Sequence, residues 1–103
     1  MNKITQELIA EKELLSDPAR WMKGELSADA NGQCVDPESP NAKCWCQLGA
    51  SYKLNSSIDT QCFKSDVAKE LDYPSAIEFN DSAMTTHQNL MDFYDACIGI
   101  SKI

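Results

Sequence analysis

The chain has 103 residues, 43% of them hydrophobic and 24% charged, with a net charge of −7. This is one domain's worth of sequence, residues 1–103, able to bury about 65% of its unfolded surface without covalent staples. The acidic balance opposes direct nucleic-acid binding by phosphate neutralisation, and no apolar run nears the roughly 20 residues that span a bilayer.

In chain order, residues 2–15 predict an opening helix. Ile4, Leu8, Glu11 and Leu15 share one face with Ile9 and Leu14 beside it, while Glu7, Glu11, Lys12 and Glu13 supply solvation. Its first residues lack the apolar core of a signal peptide, which points to a cytoplasmic protein. The five cysteines form no Cys-x-x-Cys pair, and in that compartment they read as reduced, mostly buried thiols. Ser16-Asp17-Pro18 breaks the helix, because the residue before a proline resists helical geometry. Asp17 or Ser16 can then cap a short helical turn carrying Arg20, Trp21 and Met22.

Asn31-Gly32 is a hairpin turn signal, with Leu26 and Ala28 before it and Cys34 and Val35 after it as two short strands. Ser27, Asp29, Asn31, Gly32 and Glu38 also mimic the spacing of an EF-hand loop. Ser27 stands in the first position, usually Asp, and Pro37 intrudes before Glu38, so the hairpin is the expected reading. The loop Asp36–Pro40 leads into the stretch expected to be central, a helix Pro40–Leu54. Ser39 serves as its cap and Pro40 as its first residue. Ala42, Trp45, Cys46, Gly49 and Ala50 make one stripe, with Cys44, Leu48 and Tyr52 adjoining.

A third helix, Ile58–Leu71, is expected to bury Ile58, Cys62, Val67 and Leu71, and Tyr73-Pro74 stops it. Ala76–Phe79 reads as a short extended piece or turn. Thr85 with Gln88 has the form of a capping box that opens a final amphipathic helix with Leu90, Met91, Phe93, Tyr94, Cys97 and Ile98. The class is therefore α+β, mainly α, with about four helices around Pro40–Leu54 and a small hairpin.

Charge is distributed unevenly. Glu70, Asp72, Glu78, Asp81, Asp92 and Asp95 lie in a stretch, Glu70 to Ser101, that contains no Lys or Arg. The first 69 residues hold ten acids against eight bases. A one-signed field of this kind steers basic partners and favours solubility. Other candidate chemistry is weaker. Asp81, His87 and a thiol have the ingredients of a Cys-His-Asp arrangement. The competing reading makes Asn80 and Asp81 turn formers and His87 a solvated helix-start residue. Cys44 and Cys46 invite a metal with Cys34, Cys62 or His87, but residues two apart on a helix point to opposite sides. Arg20, Trp21 and Trp45 would make a groove with an anion contact or, for the two tryptophans, simply core.

Three pieces in order carry a resemblance: Arg20 through Gly32, Ala42 through Ala50 with Trp45-Cys46-x-x-Gly49-Ala50, and Phe79-Asn80-Asp81 before a Thr-led helix. From about Leu8 to Ile98 the chain resembles a family of small uncharacterised proteins of bacteria and their phages, domain-of-unknown-function family 6197. The resemblance implies a phage or mobile-element setting and brings no reaction, cofactor or catalytic residue. With the charge pattern, it leads to the expectation of a non-catalytic interaction module. That module would bind a basic bacterial protein or complex through Glu70, Asp72, Glu78, Asp81, Asp92 and Asp95. It could act as an inhibitor of a bacterial defence complex, in the manner of an anti-CRISPR protein, by occupying its nucleic-acid-binding surface. No metal, cofactor or membrane contact is expected. The rival is a small-molecule-binding, nucleotide-binding or enzymatic domain that uses Arg20, Trp21, Asn80, Asp81 and His87.

Overall fold

A computed structural model describes residues 2–103. Five α-helices and one short antiparallel strand pair are arranged in the order α1 (Lys3–Leu14), β1 (Ser27–Ala28), β2 (Cys44–Trp45), α2 (Gln47–Lys53), α3 (Ile58–Glu70), α4 (Ala76–Asp81) and α5 (His87–Ser101). A 3-10 turn, Pro18–Arg20, follows α1 and is capped by Asp17 as expected. The α+β, mainly α class holds, with 55% of the residues helical.

α1 packs along α5, and Asn2 starts it by accepting a hydrogen bond from the Thr5 N–H. Leu8 and Leu15 are fully buried, as their spacing predicts. Glu11 is fully buried too, so it does not solvate the helix. At the other end of the chain, α5 buries Leu90, Phe93, Tyr94 and Cys97. Its capping box uses Thr86 and Asn89, one residue later than the expected Thr85 and Gln88. Thr85 is inward instead, its hydroxyl donating to the Phe79 carbonyl at 2.6 Å.

The expected central helix Pro40–Leu54 is shorter than its apolar pattern implies. Residues Ser39 to Ala42 form a turn, Cys44–Trp45 is a strand, and the helix begins only at Gln47, with Cys46 as its N-cap. Long-range bonds decide this. Lys43 N–H donates to Ala28 O at 2.8 Å, Cys46 N–H to Leu26 O at 3.1 Å, and Met22 N–H to Trp45 O at 3.1 Å. Trp45 Nε1 reaches Pro37 O at 2.9 Å while its ring is buried. Tertiary pairing on two sides of the segment overrides its helical propensity. As a result, the main partner of Ser27–Ala28 is Cys44–Trp45, and the residues after Asn31-Gly32 contribute only the bridge from Cys34 to Ala28. The turn itself forms: Asp29 Oδ1 accepts from Asn31 and Gln33 N–H at 2.9 Å, and Gly32 has a φ of +80°.

Two further expectations change. Ile58 and Cys62 on α3 and Leu71 at its C-cap are exposed; the helix buries Val67 as expected, together with Thr60, Lys64 and Ala68. Ala76–Asp81 is a helical turn and a half capped by Ser75, where a short extended piece or turn was expected over Ala76–Phe79. On α3, polar side chains from α1 and α2 bond to the inward face. Glu7 accepts from Ser57 N–H and Oγ and from Thr60 Oγ1. Desolvation works against it, but these hydrogen bonds, with nearby Lys3, together hold its carboxyl below the ordinary value.

Of the four glycines, Gly49 alone has backbone pressed against it. A Cβ placed there would sit 1.8 Å from Leu26 O, the same carbonyl that accepts from Cys46. Gly49→Ala is therefore expected to separate α2 from the Leu26 strand and destabilise the fold by about 3 kcal/mol, the upper end of ordinary overpacking costs. Urea denaturation checks it, and a loss under about 0.5 kcal/mol, the scatter of neutral surface changes, would mean that this contact is slack.

Candidate functional site

Three regions of the molecule gather chemistry-bearing side chains, and they differ in what those side chains are free to do.

The first is the corner built by Trp21, Asn80, Asp81 and His87. Asn80 lies in α4 with no exposed surface. Its Oδ1 accepts from Trp21 Nε1 at 2.7 Å and from Gln47 N–H at 3.2 Å. Its Nδ2 donates to Met22 O at 3.1 Å and to Asp81 Oδ1 at 2.9 Å. The same Asp81 oxygen accepts from Gly24 N–H at 2.9 Å. His87 Nε2 donates to Leu15 O at 2.8 Å, and its ring lies 5.9 Å from that of Trp21. Lys23 Nζ ties the corner to the carbonyls of Ser82 and Thr85, each at 2.6 Å. The structure thus brings four of the five rival ligand residues together, and each already has a hydrogen-bond partner within the chain. Arg20 is exposed, with no ion-pair partner among the described residues. His87 contacts a carbonyl and a tryptophan ring rather than a thiol. Trp45, buried elsewhere in the core, takes no part in a shared groove.

The second region is the buried polar centre. Glu11 and Lys64 are 0% and 2% exposed and meet at 2.6 Å. Tyr94 Oη donates to Glu11 Oε1 at 2.8 Å and Ser51 Oγ to Oε2 at 2.8 Å. The Lys64 ammonium also donates to Ser51 Oγ at 3.0 Å and to Gln47 O at 3.3 Å. Burial first, and then the neighbouring Glu11 carboxylate, push the Tyr94 phenol well above its ordinary value. Burial likewise pushes the Cys97 thiol up to about 12. Beside this centre the Gln47 side chain, itself fully buried, has neither amide atom paired among the described residues. An arrangement of that kind costs about 1–3 kcal/mol. Gln47 and Lys64 also line an open cleft between α2, α3 and α4 with a volume of about 340 Å³.

The third group is the six acids of the C-terminal third of the chain. Glu70, Asp72, Glu78, Asp81, Asp92 and Asp95 are all exposed. Asp95 pairs with Lys12 at 2.5 Å, and Asp92 accepts only a neutral bond from Gln88 Nε2 at 2.9 Å. Glu70, Asp72 and Glu78 have no ion-pair partner among the described residues. An apolar groove of about 430 Å³ runs between α5 and the turn after α3, with Leu71, Tyr73, Phe79 and Phe93 in its lining and Asp92 among them. Asp72, held at a φ of +69° by the turn, stands between two of those lining residues in sequence. Sequence reading found the acids but missed the groove, because Leu71 was expected to be buried and is 50% exposed.

No group of three or more His, Cys, Asp and Glu side chains able to hold a metal occurs among the described residues. Cys44 and Cys46 lie on a strand and at a helix cap, not on one helix, and have separate surroundings. Cys44 Sγ lies 3.6 Å from Met22 Sδ, and Cys46 Sγ accepts from Gly49 N–H. Cys34 and Cys62 are exposed rather than buried. No helix among the described residues is long and apolar enough to cross a membrane.

Two outcomes follow from the buried centre. Lys64→Met leaves the Glu11 carboxylate buried without its cation and should destabilise by about 3–5 kcal/mol. Glu11→Gln combined with Lys64→Met should recover most of that loss in urea denaturation; if the pair is additive, the two groups are not coupled. For pH, the folded-state phenol of Tyr94 is raised above its unfolded value near 10. Its contribution to stability is therefore complete below about pH 10 and declines as pH rises from there towards the folded value. Tyr94→Phe should flatten that alkaline decline, and an unchanged slope would count against the shift.

Comparison with family models, with curated proteins and with solved structures found no match.

Proposed function

We propose that this chain is a non-catalytic protein-interaction module whose acidic C-terminal third receives a basic surface of another protein. The observation that carries the reading is the groove between α5 and the turn after α3. It offers apolar lining with Asp92 among it and Asp72 between two lining residues in sequence, in a stretch of chain without a single Lys or Arg from Glu70 to Ser101. A partner that fits would present an aliphatic or aromatic side chain flanked by Lys and Arg. The apolar side chain would enter the groove, and the bases would meet carboxylates that lack an internal cation.

Surfaces of that composition are the ones proteins use to hold phosphate backbones. In this reading the module acts by occupying a nucleic-acid-binding surface, and a bacterial defence complex is the proposed setting. The corner of Trp21, Asn80, Asp81 and His87 then serves the fold, because its hydrogen bonds are made internally.

The test is capture of basic bacterial proteins on the immobilised chain, followed by binding kinetics with the captured partner at low and moderate salt. Asp72→Lys with Asp92→Lys should leave folding intact and slow association at least about tenfold at low salt, since charges at an interface rim act chiefly on the on-rate. Affinity that is unchanged by both reversals and insensitive to salt would sink the reading, as would failure to retain any basic protein at low salt.

A further inference from the structure

We infer that the cleft between α2, α3 and α4 is a binding site for a small, neutral, planar ligand that carries a hydrogen-bond donor and acceptor side by side, such as a nucleobase edge.

The floor of the cleft supplies the first argument. Gln47 is fully buried, yet both the donor and the acceptor of its side-chain amide are unpaired among the described residues. Its backbone, in contrast, is fixed at both ends: the N–H donates to Asn80 Oδ1 at 3.2 Å and the C=O accepts from Lys64 Nζ at 3.3 Å. The residue is held while its side chain is left over. A ligand edge with an adjacent donor and acceptor is the complement of a primary amide, the pairing through which Gln reads adenine.

Charge supplies the second argument. Lys64 lines the cleft, but its ammonium is committed to Glu11, Ser51 and Gln47 O. At the rim, Lys69 and Asp66 face each other at 3.9 Å. The cleft therefore presents no uncompensated charge to an ion, and the ligand it fits is neutral.

The walls supply the third. Leu48, Tyr52, Ala76 and Ile77 line the cleft, and Tyr52 and Ile77 are partly open to solvent, 45% and 42% exposed. An aromatic and an aliphatic wall around a planar ring are how such ligands are held. The volume of about 340 Å³ lies at the small end of ligand pockets, about 300–1,000 Å³, a size that suits a base or nucleoside. Gln47 has no accessible surface, so binding requires its side chain to turn into the cleft, with the outer part of the ligand left towards Tyr52.

The experiment is a titration of the isotope-labelled full chain with adenosine and with uridine, followed by the Gln47 side-chain amide and the Ile77 methyl resonances. Saturable shifts at both positions with at least one nucleoside are expected. Gln47→Leu should keep the fold and weaken binding at least about tenfold, the loss of a bidentate pair. Ile77→Arg, a change at an exposed position, should block the mouth to a similar degree and keeps the test decisive if Gln47→Leu does not fold. Asp72→Lys with Asp92→Lys should leave nucleoside binding unchanged, which separates this site from the groove beside α5. No saturable shift with either nucleoside overturns the inference. So does undiminished binding in Gln47→Leu, or equal binding of toluene, which would make the cleft merely apolar.

Discussion

The pairing of Glu11 with Lys64 is the constraint on which the rest of the structure depends. The two charges lie in α1 and α3 with almost no exposure, and two buried charges so placed must be compensated or the fold cannot hold. Each remaining lone pair and proton therefore recruits another element. Tyr94 comes from α5, Ser51 and the Gln47 carbonyl from α2. Four helices thus converge on one ion pair, and its satisfaction fixes their rotation about their own axes. Replacing such a centre with packed hydrocarbon is often neutral for stability, so what it chiefly supplies here is a unique arrangement of helices whose apolar stripes are short.

A second centre, Asn80, does for the irregular part of the chain what the ion pair does for the helices. The segment from Trp21 to Gly24 has no regular structure of its own to satisfy its backbone, and backbone groups near a core must find partners. Asn80 and Asp81 provide them, holding Trp21 Nε1, Met22 O and Gly24 N–H, while Trp45 O takes the Met22 N–H. The same Asn80 oxygen also fixes the first residue of α2. α4, only six residues long, therefore joins the loop to the helical core.

These two centres leave the molecule with surfaces of opposite character. On the face of α5 and the turn after α3, the apolar groove lies among carboxylates that the short supply of bases in the last third leaves largely unpaired. Between α2, α3 and α4, charges cancel internally and the cleft is neutral, with a buried amide at its base. The first surface suits long-range attraction of a large cationic partner, the second a small molecule selected by shape and by one donor–acceptor pair. Tyr94 joins the two regions, its hydroxyl donating to Glu11 and its ring packing edge-on against Phe93 in the aromatic cluster with Tyr73 and Phe79.

The sequence by itself determined the helices whose signals are local. α1, the capped turn at Pro18, the extent of α3 and the apolar face of α5 follow from side-chain spacing, caps and prolines within a few residues, as does the turn of Asp29 to Gly32. The acidic segment is equally plain, since charge is read directly from composition. The tertiary structure alone decided what distant partners control. Residues 40–46 carry a helical pattern, yet after a turn at residues 39–42 the backbone bonds to Leu26 and Ala28 and the seat of the Trp45 ring hold residues 43–46 extended. Lys64 and Glu11 look like solvated charges because local sequence does not say that they face each other across 53 positions. Once paired they turn α3 so that Ile58, Cys62 and Leu71 face outward, which opens one side of the acidic groove. The leftover amide of Gln47 has the same origin: whether a buried polar group finds a partner depends on the chains packed around it, and that is settled only when the helices meet.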